Sequence, residues 1–282
     1  MPSPLTYDVF VAEPIPQNVR ELVPNGDRRM FSPLSITLVS GEEDAVLVDP
    51  PMTIEQTKQV GDWVEASGKN LTHIFATHGH GDHWFGGAEL AERFGARFVA
   101  TPGTIEQMKL NVAMRPVFWD ALFPGQIPQT DVTAVRAVHG VIELEGHKLR
   151  VIEVGHSDTE DTSVLHVPAL GLVIAGDVLY NGVHQFLREA AGDGIKQWHE
   201  AIDIVAALEP RHIVTGHKNK ELDDDADRAI AETRAYLDAA AELLAQEDNA
   251  LGFFNAMLQK FPERLNPGAL WGSATALFPQ TV

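Results

Sequence analysis

The sequence predicts an α/β fold in which helices cover sheets, and three observations support this fold class. Runs of period 2 rich in β-branched residues predict strands, and apolar residues at helical spacing predict helices. The strands occur in groups with helices between them, unlike the strict alternation of a barrel or the strand-only spacing of a sandwich. The composition, 44% hydrophobic and 22% charged, is typical of a folded globular protein.

The predicted elements follow from local patterns taken in chain order. Short apolar or alternating runs between turn residues predict strands at 8–12, 35–39, 45–48, 73–76, 97–100, 132–138, 148–154, 163–167, 172–175 and 212–215. Apolar residues three and four positions apart predict helices at 54–66, 88–94, 104–114, 195–208 and 224–245.

Charge and composition limit the classes of partner. The chain has 21 Lys+Arg against 40 Asp+Glu, and this net charge of -19 repels phosphate backbones and anionic lipid surfaces. We therefore expect a small-molecule substrate, and neither nucleic acid nor a membrane, as the partner. Cysteine is absent, which excludes disulfides and thiolate metal ligands. Without a secretion signal or a run near the roughly 18 apolar residues of a membrane span, a cytoplasmic location is expected.

The segment THGHGDHWFGG, residues 77–87, concentrates groups that bind metals. His78, His80, Asp82 and His83 lie within six consecutive positions. The glycines between them reduce side-chain bulk and widen the choice of backbone angles, as close packing around an ion requires. Crowded imidazolium groups would repel each other, so the pattern favours a metal site over a structural role.

One loop cannot complete two coordination spheres, so further ligands are expected at other strand ends. His156, Asp177 and His217 each follow an apolar run and a glycine. Strand ends are where a rigid scaffold presents functional side chains. Imidazole and carboxylate ligands suit two divalent ions, for which zinc is the first expectation and iron or manganese also qualify.

These motifs, in the order His-x-His-x-Asp-His, Gly-His, Ala-Gly-Asp and Gly-His, resemble those of the metallo-beta-lactamase superfamily from about Ser35 to His217. The resemblance implies a four-layer αββα sandwich with two metal ions. The ligand set that it implies is His78, His80 and His156 at one ion, Asp82, His83 and His217 at the other, and Asp177 bridging both. Asp49, in VLVDP, matches an aspartate that supports this site from behind the ligands.

The sequence changes in character after His217, and this change divides the chain into a catalytic domain, residues 1–218, and a helical C-terminal extension, residues 219–282. The extension begins with a charged, alanine-rich predicted helix and carries aromatic residues, which are Phe253, Phe254, Phe261, Trp271 and Phe278. We expect these aromatics to pack the extension onto the catalytic domain or onto a second subunit of a homo-oligomer, with a lid over the substrate as the alternative.

Two close divalent ions can share one water and lower its pKa toward about 7. The predicted activity is therefore a dinuclear metal-dependent hydrolase in which a bridging hydroxide attacks a carbonyl group. Asp82 is expected to hold or accept the proton of that water. Tyr180 resembles the tyrosine that contacts the substrate carbonyl in metal-dependent acyl-homoserine lactonases, although it could simply start the next helix. Asn181 and His184 are expected at the mouth of the pocket.

The substrate pocket is predicted from two loops, 24–33 and 114–128. Their apolar residues could form its wall or equally belong to a core or an interface, and they are Met30, Phe31, Met114, Phe118, Trp119 and Phe123. Such a wall, with few basic residues near it, favours a lactone or another ester. Thioester hydrolysis of the glyoxalase II type is the nearest alternative, followed by phosphodiester hydrolysis and mononuclear-iron persulfide oxygenation. A non-catalytic binding module would predict a damaged ligand set, yet all seven positions are filled.

Overall fold

Two β-sheets face each other in the structure, a computed structural model that describes residues 4–129 and 131–278. The first sheet contains, in spatial order, β1 (Thr6–Ala12), β2 (Leu34–Ser40), β3 (Asp44–Val48), β4 (Asn70–Phe75), β5 (Arg97–Ala100) and β6 (Val135–Arg136). The second contains, in spatial order, β11 (His212–Lys218), β10 (Leu172–Asn181), β9 (Thr162–Val167), β8 (His147–Gly155) and β7 (Val141–Leu144). Both sheets are mixed: β1 to β3 are antiparallel and β3 to β6 parallel, whereas in the second sheet only β10 and β11 run parallel.

Helices cover the outer face of each sheet. They are α1 (Ile54–Ala66), α2 (Gly87–Phe94), α3 (Pro102–Met114), α4 (Trp119–Leu122), α5 (Gly194–Ala206), α6 (Ala226–Gln246), α7 (Ala250–Lys260) and α8 (Pro267–Leu277). The bounds of helix α1 could be predicted from neighbouring residues alone, because Thr53 and Gln56 form a reciprocal capping box at its start. Over the described ranges, the helices are too short or too polar for any of them to span a membrane.

Three apolar clusters separate the four layers of the predicted αββα sandwich. In β3, Leu47 faces the α1 to α4 side, whereas Val46 and Val48 face the second sheet. In β10, Val173 faces α5 and Ile174 faces the first sheet. Successive strand residues point to opposite faces, so strands with two buried faces are apolar throughout. The four-layer architecture and its helical C-terminal part are confirmed.

Some element boundaries differ from the sequence-based expectation. The strand expected at 132–138 is reduced to β6, and neither β7 nor α4 is predicted. Strand β7 joins β8 through Glu145 and Gly146, both at positive φ, as a two-residue hairpin turn requires. Strand β10 continues to Asn181 instead of ending at 175, with register shifts around Gly176 in its pairing with β11.

The C-terminal aromatics pack onto the main body of the protein. Phe253 and Phe254 are fully buried in one cluster with Trp198 of α5 and Tyr236 of α6. Trp271 lies against Phe254, with ring centroids 5.7 Å apart. The C-terminal helices therefore share their core with the second sheet.

Replacing Phe254 by alanine is expected to lower the free energy of unfolding by about 3–5 kcal/mol, because a fully buried aromatic ring would be replaced by a cavity. Urea denaturation followed by circular dichroism and tryptophan fluorescence measures this change. Leu251 lies on the same helix but is 49% exposed, so Leu251→Ala should change stability by less than about 0.5 kcal/mol. Equal effects of the two variants, or separate unfolding of the C-terminal helices, would contradict a shared core.

Candidate metal centre

The histidine-rich loop after β4 is held by a buried aspartate at the end of β3. Asp49 accepts hydrogen bonds from the Thr77 backbone N–H at 2.8 Å and from the Thr77 hydroxyl at 2.9 Å. Since that hydroxyl proton goes to Asp49, Thr77 Oγ1 accepts from His78 Nδ1 at 3.0 Å. This arrangement leaves the lone pair of His78 on Nε2, the nitrogen that faces the site.

The glycines of the loop are required by close contacts. A methyl group added at Gly79 would lie 2.2 Å from Gln107 Cβ, and one at Gly81 would lie 2.0 Å from the Phe85 ring. Trp84 Nε1 donates a hydrogen bond to Gly79 O at 2.9 Å. The loop therefore packs beneath α3 only because these positions have no side chain.

Two parallel strands of the second sheet bring two of the remaining predicted ligands opposite this loop. Asp177 lies in β10, and His217 lies in the neighbouring strand β11. A methyl group at Gly216 would lie 2.0 Å from Asp177 Oδ1, so the close approach needs glycine there. His217 Nδ1 donates to Pro33 O at 2.9 Å, which leaves Nε2 directed at the carboxylates.

Donor atoms converge in three overlapping groups among the described residues. The groups are His78, His80 and Asp158; His78, His83 and Asp177; and Asp82, His83 and His217, with the ligand atoms of each group within 4.8 Å of one another. His83 Nε2 lies 3.2 Å from Asp82 Oδ2 and 3.3 Å from Asp177 Oδ1. His217 Nε2 lies 3.1 Å from Asp177 Oδ2 and 3.4 Å from Asp82 Oδ2.

Several of these buried atoms have no hydrogen-bond partner. They are His78 Nε2, both ring nitrogens of His83, Asp158 Oδ2 and Asp177 Oδ1. His156 Nε2, outside these three groups, is likewise buried and without a hydrogen-bond partner. Buried polar atoms are otherwise almost always hydrogen-bonded, since desolvating them without a partner costs free energy. The unpaired atoms of the three groups face one another across short distances, so a bound metal ion would satisfy them together. The residues present fit a metal site.

The electrostatics of the site also suit a cation. Burial alone would raise the pKa of Asp82, but His83 and His217 hold it well below its usual range. Burial opposes charge on His217, yet Asp177 and Asp82 raise the pKa of this imidazole to about 10. The carboxylates are therefore ionised at neutral pH, and they favour positive charge between them.

His156 belongs to none of these three groups. Its Nδ1 lies 3.0 Å from Glu160 Oε1, and its Nε2 would lie 3.1 Å from a methyl group at Gly194. Asp158, two residues along the same loop, faces His78 and His80 instead. Metal binding by His156 stays a prediction. His156 was predicted as a ligand because it follows an apolar run and a glycine. Asp158 lacks this pattern, and its only sequence signal is that it is an aspartate two residues after His156.

A cavity of about 420 Å³ opens beside the site, with Asp82, Asp177 and His217 among its lining residues. The predicted apolar wall residues Met30, Phe31, Met114, Phe118 and Trp119 line it as well. Phe123 is the exception, because it is fully buried behind Phe31 with ring centroids 5.5 Å apart. The lining that sequence reasoning missed includes Phe186, Arg188 and Glu189 after β10 and small residues of α8.

Tyr180 lies in β10 and reaches both the ligands and the cavity. Its hydroxyl donates a hydrogen bond to Asp177 Oδ2 at 2.6 Å, and its ring is fully buried. The alternative that it starts a helix is wrong, since the strand continues through it.

Asn181 and His184 lie outside the lining of this cavity. Asn181 Nδ2 donates to the backbone of Asp223 at 2.8 Å, and His184 Nδ1 lies 3.0 Å from the Tyr236 hydroxyl. Burial, with Arg264 nearby, lowers the pKa of His184 to about 3. Their contact with a substrate stays a prediction.

The sequence profile described as the metallo-beta-lactamase superfamily matches residues 30–217, the range that carries the fold core and these ligands. The chain is a member of the metallo-beta-lactamase superfamily. Among solved structures, a metallo-beta-lactamase family protein from Thermus thermophilus superposes with a TM-score of 0.63 at 19% identity, covering 95% of this chain and 91% of that one. A metallo-beta-lactamase from Pontibacter korlensis gives 0.61 at 19% identity, covering 82% and 99%. These likenesses concern the fold.

Curated relatives are named hydroxyacylglutathione hydrolase. The relative from Acidiphilium cryptum (strain JF-5) is 30% identical over 157 residues, which are 55% of this chain and 54% of the relative. The relative from Rhizobium meliloti (strain 1021) is 30% identical over 165 residues, which are 58% and 54% respectively. The chain thus spans about half the length of the curated relatives that it matches.

Proposed function

We propose that this protein is a dinuclear metal-dependent hydrolase that cleaves a carbonyl substrate, first of all a lactone or another ester. The observation that carries the proposal is the convergence of unpaired, buried histidine and aspartate donors beside an apolar cavity. Zinc is the proposed metal, and iron or manganese would also suit these nitrogen and oxygen ligands.

The ligand groups divide into two neighbouring positions. Asp82, His83 and His217 would hold one ion, His78 and His80 would contribute to the other, and Asp177 lies between them. When bound, the ions would lower the pKa of a coordinated water toward about 7 and so supply hydroxide at neutral pH. Asp49 would keep His83 and the histidine loop in place from behind.

Two side chains of the cavity would act on the substrate and the water. Asp82 is ionised and lines the cavity, so its carboxylate would hold or accept the proton of the attacking water. Tyr180 would donate its hydroxyl hydrogen to the oxygen of the attacked carbonyl as negative charge develops there. In the structure this hydroxyl donates to Asp177 Oδ2.

The cavity supports a small substrate with an apolar part. Its volume of about 420 Å³ lies within the range of about 300–1,000 Å³ common for small-molecule sites. Phe31, Phe118 and Trp119 supply aromatic surface for the acyl or ring portion. These features favour a lactone or an ester of moderate size.

Thioester hydrolysis is the second candidate. It is favoured by the names of the curated relatives and by two arginine side chains that line the cavity. Arg29 and Arg188 both line it, and the Arg188 guanidinium lies over the Phe118 ring, 5.6 Å from its centroid. These arginines could pair with carboxylates of a thiol carrier such as glutathione. The C-terminal helix α8 adds only small, neutral residues to the lining, so no further cation comes from it.

A substrate panel on metal-loaded protein tests the proposal. Lactones, oxygen esters, S-acylglutathione thioesters, phosphodiesters and β-lactams would be assayed before and after chelation, with metal content measured in parallel. We expect close to two metal ions per chain, hydrolysis of an ester-type substrate, loss of activity on chelation and recovery with zinc. Preference for the glutathione thioester would select the second candidate. Hydrolysis that survives full metal removal, or a panel with no turnover, would contradict the proposed function.

A further inference from the structure

We infer that Gly272 sets how large an apolar group of the substrate can lie between α8 and Phe186, and so determines the substrate size that the cavity accepts. The inference deepens the proposed function and rests on it in taking this cavity as the substrate site. Both residues line the cavity that also contains Asp177, whose buried Oδ1 has no hydrogen-bond partner.

Gly272 lies in the middle of α8, where glycine is unfavourable. In a helix interior glycine is destabilising relative to alanine, because its backbone loses more conformational freedom on folding. The same helix carries Ala269, Ala274 and Ala276, so small residues that favour a helix occur at other positions of α8. Helix formation therefore does not account for a glycine at position 272.

Close packing does not account for this glycine either. Outside its own helix, a methyl group added at Gly272 would have one described atom within 4 Å, Phe186 Cε2 at 3.9 Å, which is an ordinary van der Waals distance. Gly268, one turn earlier, is crowded by contrast, since a methyl group there would lie 2.9 Å from Asn266 Oδ1. Because Gly272 lines the cavity, the open space beside it belongs to the cavity. The missing side chain thus leaves room for a ligand and relieves no clash.

Helix α8 is held in place beside Phe186 and cannot move back to make room for a side chain. Ser273, next to Gly272, is fully buried, and its hydroxyl oxygen accepts a hydrogen bond from the Leu187 backbone N–H at 2.8 Å. Leu187 directly follows Phe186, so this bond joins the helix to the segment that carries the ring. A side chain at position 272 would therefore take its space from the cavity.

The Phe186 ring connects this space with the metal centre. It lies against the ring of His80 with centroids 6.2 Å apart, and its Cε2 is the atom that faces Gly272. Neither the phenyl ring nor the small residues of α8 offer a charge here. An apolar group of the substrate would rest on this ring while the carbonyl group reaches the ligands. Each CH₂ group buried in this way strengthens binding about fourfold.

Binding of unreactive carboxylates to the metal-loaded full chain tests the inference without hydrolysis as the readout. Octanoate and acetate are titrated calorimetrically into the wild type, Gly272→Leu and Ala276→Leu, which enlarges an exposed residue of α8 outside the cavity lining. We expect Gly272→Leu to weaken octanoate binding by at least about 50-fold, as loss of three buried CH₂ groups implies, and acetate binding by less than about threefold. Ala276→Leu should bind both carboxylates as the wild type does.

A smaller variant separates ligand space from the requirements of the fold. Gly272→Ala should raise the melting temperature by roughly 1–3 °C, because alanine favours the helix and meets no clash. The same variant should weaken octanoate binding about fourfold, since its methyl group displaces one CH₂ group of the ligand. A lower melting temperature would show that the fold itself requires this glycine and would overturn the inference.

The remaining outcomes distinguish the inference from the proposed function. Equal affinity of Gly272→Leu and the wild type for octanoate would overturn the inference, as would a wild type that does not bind octanoate. Ester hydrolysis with the same preference for acyl length in Gly272→Leu and the wild type would also contradict the inference and leave the proposed function standing. A wild type that shows the expected octanoate binding but hydrolyses no ester would contradict the proposed function alone.

Discussion

Replacing Asp177 by asparagine is expected to lower kcat/KM by about 10³-fold on whichever ester-type substrate the protein hydrolyses. Asp177 links the two proposed positions, because it shares a donor group with His78 and His83 and lies 3.1 Å from His217 Nε2. An amide in its place removes one negative charge between the proposed ions. It would therefore weaken metal binding and reduce the stabilisation of the transition state by the metals, which amounts to several kcal/mol. Steady-state kinetics of the metal-loaded variant measures the effect.

A matched aspartate separates this effect from a general change of charge. Asp227 is exposed in the first turn of α6 and belongs neither to the donor groups nor to the lining of the cavity. Asp227→Asn should therefore leave kcat/KM within about twofold of wild type, since a surface charge contributes little. Full activity of the Asp177 variant with its metals in place would show that Asp177 does not serve the reaction.

Replacing Tyr180 by phenylalanine is expected to lower kcat by about 10²-fold while KM changes little, because a donor to developing negative charge acts mainly in the transition state. The hydroxyl lies at the cavity and 2.6 Å from Asp177 Oδ2. Loss of this hydroxyl removes no ring volume, so the core around Trp198 stays filled. Measurement of kcat and KM separately distinguishes this role from substrate binding.

Tyr236 provides the control for removing a buried tyrosine hydroxyl. Its hydroxyl lies 3.0 Å from His184 Nδ1, outside the lining of the cavity. Tyr236→Phe should therefore lower the free energy of unfolding by about 1–3 kcal/mol, because it leaves His184 Nδ1 without this hydrogen-bond partner. The same variant should retain kcat. A Tyr180 variant with unchanged kcat, or equal losses in both variants, would refute a catalytic role for the Tyr180 hydroxyl.

Patterns that depend on neighbours in sequence were predicted well. Helix α1 was predicted with its observed bounds because its apolar spacing and its capping box are both local. The apolar runs of β3 and β4 predicted the strands that end before Asp49 and His78, whereas β11 continues through His217 to Lys218. The order of the ligand motifs along the chain was sufficient to predict the family. The order of the predicted strands and helices was sufficient to predict the layered architecture.

Features that depend on which face of a loop or strand meets another element were not predicted. Asp158 Oδ2 lies 2.8 Å from His80 Nδ1, and this approach depends on the path of the loop between β8 and β9. The continuation of β10 past Gly176 brings Tyr180 beside Asp177, whereas local patterns ended that strand earlier.

The sequence by itself determined the fold class and the chemical character of the site, because hydrophobic periodicity and clustered ligand-type residues are properties of the chain alone. Only the tertiary structure decided which donors meet, which aromatics enter the core and which line the cavity. Phe253 and Phe254 became core while Phe118 and Trp119 reached the cavity, although all four are aromatic. The physical reason is that burial and lone-pair direction depend on packing between elements distant in sequence, which local spacing does not encode.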